Sequence, residues 1–187
     1  MTREDDHEAL ALLRRRDPRG LDLAFSSYAG PLLGFLRRLS GQSPLAEDLL
    51  QEVFVRLAEH GPNLRRDSDL RAWLYAVARN AYLSQARRAP LAHDDPMLEG
   101  LVNPAPELEA RLLLGDVERA LAELRLEDRE VLLLVAVEEL ERDEIARLLG
   151  VDAVALRQRL ARARSRLLAE LSRQTGGGDT HQRKTGR

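Results

Sequence analysis

Apolar residues along the chain recur at steps of three and four, and the alternation of a half-buried strand is absent, so the pattern predicts helices throughout. A short helix over 5–16 opens on Asp5 and Asp6 and closes on Arg14, Arg15 and Arg16, charges that suit both ends of its dipole. Asp17-Pro18-Arg19-Gly20 stops it. The next helix, over 21–40, buries Leu21, Phe25, Tyr28, Leu32, Leu33 and Leu36; Pro31 is expected to kink or split it, and Gly41 closes it. Ser43 is expected to cap a third, with Pro44 in its first position and Leu45, Leu49, Val53, Phe54 and Leu57 buried. After a loop over 61–69, Leu70, Trp73, Leu74, Val77 and Ala81 make the inner face of a fourth helix that reaches Arg88.

From Ala89 to Pro106 the period fails, Pro90, Pro96 and Pro104 break helix, and acids gather around His93-Asp94-Asp95. A second helical block then falls into pieces over 106–124, 128–139, 142–149 and 153–171. The tail, with Gly176-Gly177-Gly178, has nothing to bury and is expected to be disordered. The fold class is therefore all-α: two small helical domains over 5–90 and 106–172, joined by a flexible acidic linker over 91–105 and followed by a tail over 173–187.

A chain of 187 residues, 44% apolar and 32% charged, can pack a core and solvate its surface. No apolar run approaches the roughly 20 residues a bilayer requires, so no membrane insertion is expected. The absence of cysteine excludes disulfides, thiolate zinc sites and cysteine nucleophiles, and Met1-Thr2-Arg3-Glu4-Asp5-Asp6 is too acidic for a signal peptide; a cytoplasmic protein is expected. The net charge of -2 hides segregated blocks. Residues 64–88 carry six arginines against two aspartates, 91–118 one arginine against seven acids, and 152–171 five arginines against two acids. His7, His60, His93 and His181 lie far apart, and no glycine-rich phosphate loop exists, so neither an enzyme nor a cofactor is expected. His93-Asp94-Asp95 makes a poor metal cage, and no metal site is assigned.

Ala146, Gly150 and Leu156 have the spacing of a helix-turn-helix: a small residue where two helices cross, a left-handed turn, and an apolar lock. Asp152 can cap the second helix. Leu156, Leu160, Ala163, Leu167 and Leu171 take its inner side, leaving Ala155, Gln158, Arg159 and Arg162 to face a major groove, with Arg157, Arg164 and Arg166 on phosphates. An arginine-rich solvated face is the plain alternative. In the first block, Arg71, Tyr75, Arg79 and Tyr82 interleave charge and rings opposite the Trp73 stripe, as single-stranded DNA requires; packing of the tyrosines is the alternative there.

Ala46-Glu47-Asp48-Leu49-Leu50-Gln51-Glu52-Val53-Phe54-Val55-Arg56 and Leu70-Arg71-Ala72-Trp73-Leu74-Tyr75-Ala76-Val77-Ala78-Arg79-Asn80 resemble the two most recognisable blocks of an extracytoplasmic-function (ECF) sigma factor. Asp128-Arg129-Glu130-Val131-Leu132-Leu133-Leu134 and the helix-turn-helix follow in that family's order, so the resemblance covers roughly 5–171. It implies a sigma factor that binds core RNA polymerase and directs promoter-specific initiation, with the β′ clamp coiled coil, the β flap, promoter DNA and an anti-sigma factor as partners. Asp48, Gln51 and Glu52 would grip the β′ coiled coil. Arg65, Arg66 and Ser68 in the loop over 61–69 would capture a flipped minus-ten base, and Arg71, Tyr75, Arg79 and Asn80 would serve the same element. Ala155, Arg157, Gln158, Arg159 and Arg162 would read the minus-thirty-five element.

The chain departs from the family at Glu141, where Ser or Thr is usual, at Val154-Ala155, where Gly-Thr is usual, and at Ser84, where Asp is usual. These departures bear on DNA preference rather than docking. A helix-turn-helix regulator acting without core polymerase would leave the first block without a role, and a sigma mimic that sequesters an anti-sigma factor would not need an arginine-rich recognition helix.

Overall fold

The computed structural model describes residues 3–88, 108–137 and 140–176, and every regular element among them is helical. The expected linker over 91–105 and the chain beyond Gly176 lie outside the described residues. The first unit comprises α1 (Arg3–Arg14), α2 (Arg19–Ser40), α3 (Ser43–His60) and α4 (Leu70–Arg88), with a short 3-10 turn at Gly61–Asn63. The second comprises α5 (Leu108–Ala122), α6 (Leu126–Val135), α7 (Arg142–Leu149) and α8 (Ala153–Gly176).

The corner between α1 and α2 is tight. Asp17 accepts from the Arg19 backbone at 3.0 Å and from its guanidinium at 2.6 Å, which lowers the Asp17 carboxyl to about 2. At Gly20 a Cβ would stand 2.6 Å from the Leu13 nitrogen, so the residue expected merely to stop a helix is where two helices meet backbone to backbone. Pro31 neither splits α2 nor ends it. The proline is exposed, and burial of Ala24, Tyr28, Leu32, Leu36 and Leu39 on both sides of it offsets the missing hydrogen bond. Gly41 ends α2 with φ 71° and donates to the Arg37 carbonyl at 2.8 Å. Ser43 is the first residue of α3 rather than its cap; extended Gln42 precedes it, held by the Ser40 hydroxyl at 3.2 Å.

Leu32, Leu36, Leu39, Val53, Leu57, Leu70 and Leu74 fill the core of the first unit, and Val131, Leu134, Ile145, Leu156, Leu160 and Ala163 that of the second. α8 continues to Gly176, so residues 173–176 of the expected tail are helical. The units are packed on each other, α2 against α5 and α6, and α4 against α7.

Candidate polymerase and nucleic-acid interfaces

α3 buries Ala46, Leu49, Val53, Phe54 and Leu57, and this leaves Asp48 and Gln51 exposed on the other side, with Glu52 at their edge. Glu52 accepts from Arg56 one turn on, at 2.5 Å, an ion pair that keeps the carboxylate extended along the helix. Sequence reasoning missed two apolar neighbours. Val55 is 56% exposed and Phe25, expected in the core, is 52% exposed, its ring 4.9 Å from that of Phe54. Phe25 belongs to the same helical period as Leu21 and Tyr28, so the sequence could not show that this edge of α2 reaches solvent.

In the loop before α4, Arg65 grips Asp67 with two parallel bonds of 3.0 and 2.9 Å, Arg66 is exposed, and Ser68 is half-buried. Asp69 caps α4 by accepting from the Ala72 N–H at 2.7 Å. Arg65, Ser68, Asp69, Ala72, Trp73 and Ala76 line a cleft of about 520 Å³ whose far wall is Glu144, Arg147 and Leu148 of α7. Trp73, expected in the core, stands half-buried in this cleft.

The sequence puts Arg71, Tyr75, Arg79 and Tyr82 on one face opposite the Trp73 stripe, open to DNA or packed through its tyrosines. The structure keeps them on one side of α4 but turns that side toward the second unit. Arg71 and Tyr75 are 7% and 3% exposed. They line a cavity of about 580 Å³ with Tyr28 and Phe35, closed from the second unit by Leu121, Leu132, Leu133 and Val137. Tyr75 meets Phe35 edge-on at 5.1 Å, and burial pushes its hydroxyl up to about 12. The Arg71 Nε donates to the Tyr28 hydroxyl at 3.4 Å and its guanidinium lies 5.7 Å from that ring; Tyr28 donates to Asp6 at 2.5 Å. Tyr82 is buried as well. The residues that do face solvent on α4 include Asn80.

The start of α6 ties the units together. Arg79 Nε donates to Glu130 at 2.5 Å, with Glu130 almost fully buried. The neighbouring Arg129 donates to the Leu39 carbonyl at the end of α2 (3.1 Å), to the Ala122 carbonyl at the end of α5 (2.6 Å) and to the Leu124 carbonyl just beyond it (3.1 Å). One guanidinium thus satisfies carbonyls at the C-terminal ends of two helices from different units. Arg38 of α2 adds a pair with Glu118 of α5 at 2.9 Å.

The helix-turn-helix forms as its spacing predicts. Gly150 takes φ 68°, Val151 donates to the Ala146 carbonyl at 3.0 Å, and Asp152 accepts from the Ala155 N–H at 2.7 Å. Glu141 stands at the cap and makes a capping box with Glu144, whose carboxylate accepts from the Glu141 N–H at 2.9 Å. On α8, Arg157, Gln158 and Arg162 are exposed; Ala155 and Arg159 are half-buried and flank that row rather than forming it. Arg164 is exposed, whereas Arg166 pairs with buried Asp128. Val154, which the sequence reading left out of the DNA-facing set, is 53% exposed.

Family models match on both units: Sigma-70 region 2 over residues 24–90 and Sigma-70, region 4 over residues 114–167. The chain is 32% identical over 163 residues to the ECF RNA polymerase sigma factor SigM of Mycobacterium tuberculosis strain H37Rv, spanning 87% of this chain and 82% of that protein. To the RNA polymerase sigma-H factor of Pseudomonas aeruginosa it is 28% identical over 178 residues, 88% of this chain and 92% of that one. Among solved structures it resembles the sigma factor RpoE in complex with the anti-sigma factor NepR from Bartonella quintana. There the TM-score is 0.66 at 26% identity, covering 81% of this chain and 96% of that one. CnrH in complex with the cytosolic domain of CnrY shares the fold, with a TM-score of 0.69 at 24% identity over 90% of this chain and 97% of that one.

Proposed function

The chain belongs to the sigma-70 family, among the ECF sigma factors, and from that membership we propose how its surfaces divide the work of promoter-specific initiation with core RNA polymerase. The first unit, taken as 5–90, docks on core and handles the minus-ten element; the second, taken as 106–172, reads the minus-thirty-five element and meets the β flap. Asp48, Gln51 and Glu52 pair with cationic side chains of the β′ clamp coiled coil, and Phe25 and Val55 give that contact an apolar margin. Arg65 and Ser68 receive an unstacked base in the cleft that Trp73 walls, with exposed Arg66 next to them in the loop and Asn80 on α4 serving the same element. Arg71, Tyr75 and Arg79 join them once the second unit moves off. Arg157, Gln158 and Arg162 enter the major groove, with Ala155 and Arg159 beside them.

The protein carries out no chemistry of its own and works in the cytoplasm, where core polymerase is. No helix among the described residues is long and apolar enough to cross a membrane. An anti-sigma factor is the natural regulator of such a chain, as NepR is the partner of RpoE in the similar complex.

One observation carries this reading: an acidic α3 face with nothing packed on Asp48 or Gln51 shares a chain with a capped recognition helix whose arginines point outward. The test is reconstitution. Core polymerase supplied with the chain should start transcription at promoters of its own genome, and Asp48→Ala, Gln51→Ala and Glu52→Ala together should lower core affinity at least tenfold. Unchanged affinity in the triple variant would remove the α3 face from the docking surface.

A further inference from the structure

The first turn of α8 carries an apolar side chain that the fold leaves unused. Val154 is 53% exposed, whereas Leu156 and Leu160 on the inner side of the helix are 2% and 3% exposed. Its position is fixed from both sides: Gly150 sets the turn with its positive φ, and Asp152 holds the Ala155 N–H at 2.7 Å. A β-branched side chain on a capped turn has little rotamer freedom left to lose on contact. Along the same outward row stand Gln158 and then Ala161 and Arg162, all exposed, and Arg157 flanks them.

An exposed valine has no ion pair or hydrogen bond to offer, so what it recognises must be apolar and must lie where the adjacent arginines and glutamine are satisfied. In a major groove the one apolar feature on a base edge is the thymine C5-methyl group. Recognition helices bring their N-terminal residues to base edges, and Val154 is in that turn. Resting on the assignment of α8 as the promoter-reading helix, we propose that Val154 reads a thymine methyl in the upstream promoter element, beside the base pair that Gln158 contacts. Family members usually carry glycine at this place, so the contact would give this chain a preference of its own.

The probe is a pool of duplexes randomised over the upstream element, selected on holoenzyme made from core polymerase and the full chain. Each thymine of the selected sequence is then replaced in turn by deoxyuridine, which lacks only the methyl group. One replacement should weaken binding about fourfold, the scale of one buried methyl. Val154→Ala should bring that thymine-to-uracil ratio close to one, and Val154→Ile should keep it. If the ratio persists in Val154→Ala while Arg162→Ala still weakens binding, α8 reads the promoter without Val154 and the proposal fails. If no sequence is enriched and Arg162→Ala is silent, the promoter-reading assignment fails and the proposal with it.

Discussion

At the scale of single residues, type is a weaker guide than neighbourhood. Tyr75 was legible as a ring flanked by arginines, and the sequence left open whether it stacks on DNA or packs. What buries it is Phe35, 5.1 Å away on α2, together with a cavity wall contributed by Leu121, Leu132 and Leu133 far along the chain. Trp73 is the reverse case: the largest apolar side chain of its stripe sits half-buried, because Leu70, Leu74 and Ala78 already fill the inner face of α4. Small Ala78, at 0% exposure, gives no hydrophobic signal of its own and marks the middle of the buried row. Tyr75→Ala therefore tests stability as much as DNA binding. It should cost about 2–4 kcal/mol, below the full value for a buried ring because Tyr75 already borders a cavity. Tyr75→Phe should cost under about 1 kcal/mol, since the Tyr75 hydroxyl makes no hydrogen bond among the described residues. Urea unfolding followed by circular dichroism separates the two, and equal losses would mean the hydroxyl has a role the packing does not reveal.

Whole elements were legible where local chemistry specifies them. Gly150, Asp152 and the Leu156-Leu160-Ala163 row define the helix-turn-helix within one short stretch, and all act as their types suggest. Pro31 is a place where tertiary burial outweighs a local breaker, and α8 runs past its expected end with Arg173 exposed. The contact between elements was not legible, and it carries a pH dependence. Glu144 in the first turn of α7 accepts from the Glu141 N–H and faces Asp69 across the cleft. Arg65-paired Asp67 lines the same cleft, and Arg147 lies one turn along. Burial first, and then the Asp69 carboxylate, raise the Glu144 pKa above its ordinary 4.5, against the Glu141 N–H and Arg147, which lower it. A carboxyl whose pKa is raised in the packed state binds its proton more tightly there than when α7 and α4 are apart. Packing of α7 on the loop is thus favoured below the ordinary carboxylate value and weakens as pH rises through the raised one. Trp73, the chain's single tryptophan, lines that cleft and reports on it. Its fluorescence should shift across this window, and Asp69→Asn, which keeps a capping oxygen for α4, should narrow the shift. An unchanged titration in Asp69→Asn would show that the Asp69 charge does not contribute.

At the scale of the molecule, the two units hide from solvent the side of α4 assigned to the minus-ten element. Arg71 and Tyr75 line the cavity between them, and Arg79 gives its guanidinium to Glu130, so a carboxylate of the second unit occupies the cation that a DNA phosphate would need. The Arg79–Glu130 pair excludes the promoter contact proposed for Arg79. Two further polar ties, Arg129 on the Leu39 carbonyl and Arg38 on Glu118, cross the same interface, where apolar side chains of the two units also meet. Glu130 is 3% exposed, so Glu130→Gln removes a buried charge from its partner and should cost about 2–5 kcal/mol of docking between the units. The radius of gyration from solution scattering should rise. Affinity of the free chain for single-stranded minus-ten DNA should rise with it, because Arg79 is released, while Arg79→Ala should open the chain and lose that affinity. A larger radius without gained affinity would separate opening from DNA binding and take Arg79 out of the minus-ten surface. If neither quantity changes in Glu130→Gln, the Arg129 and Arg38 ties hold the units together without the Arg79 pair.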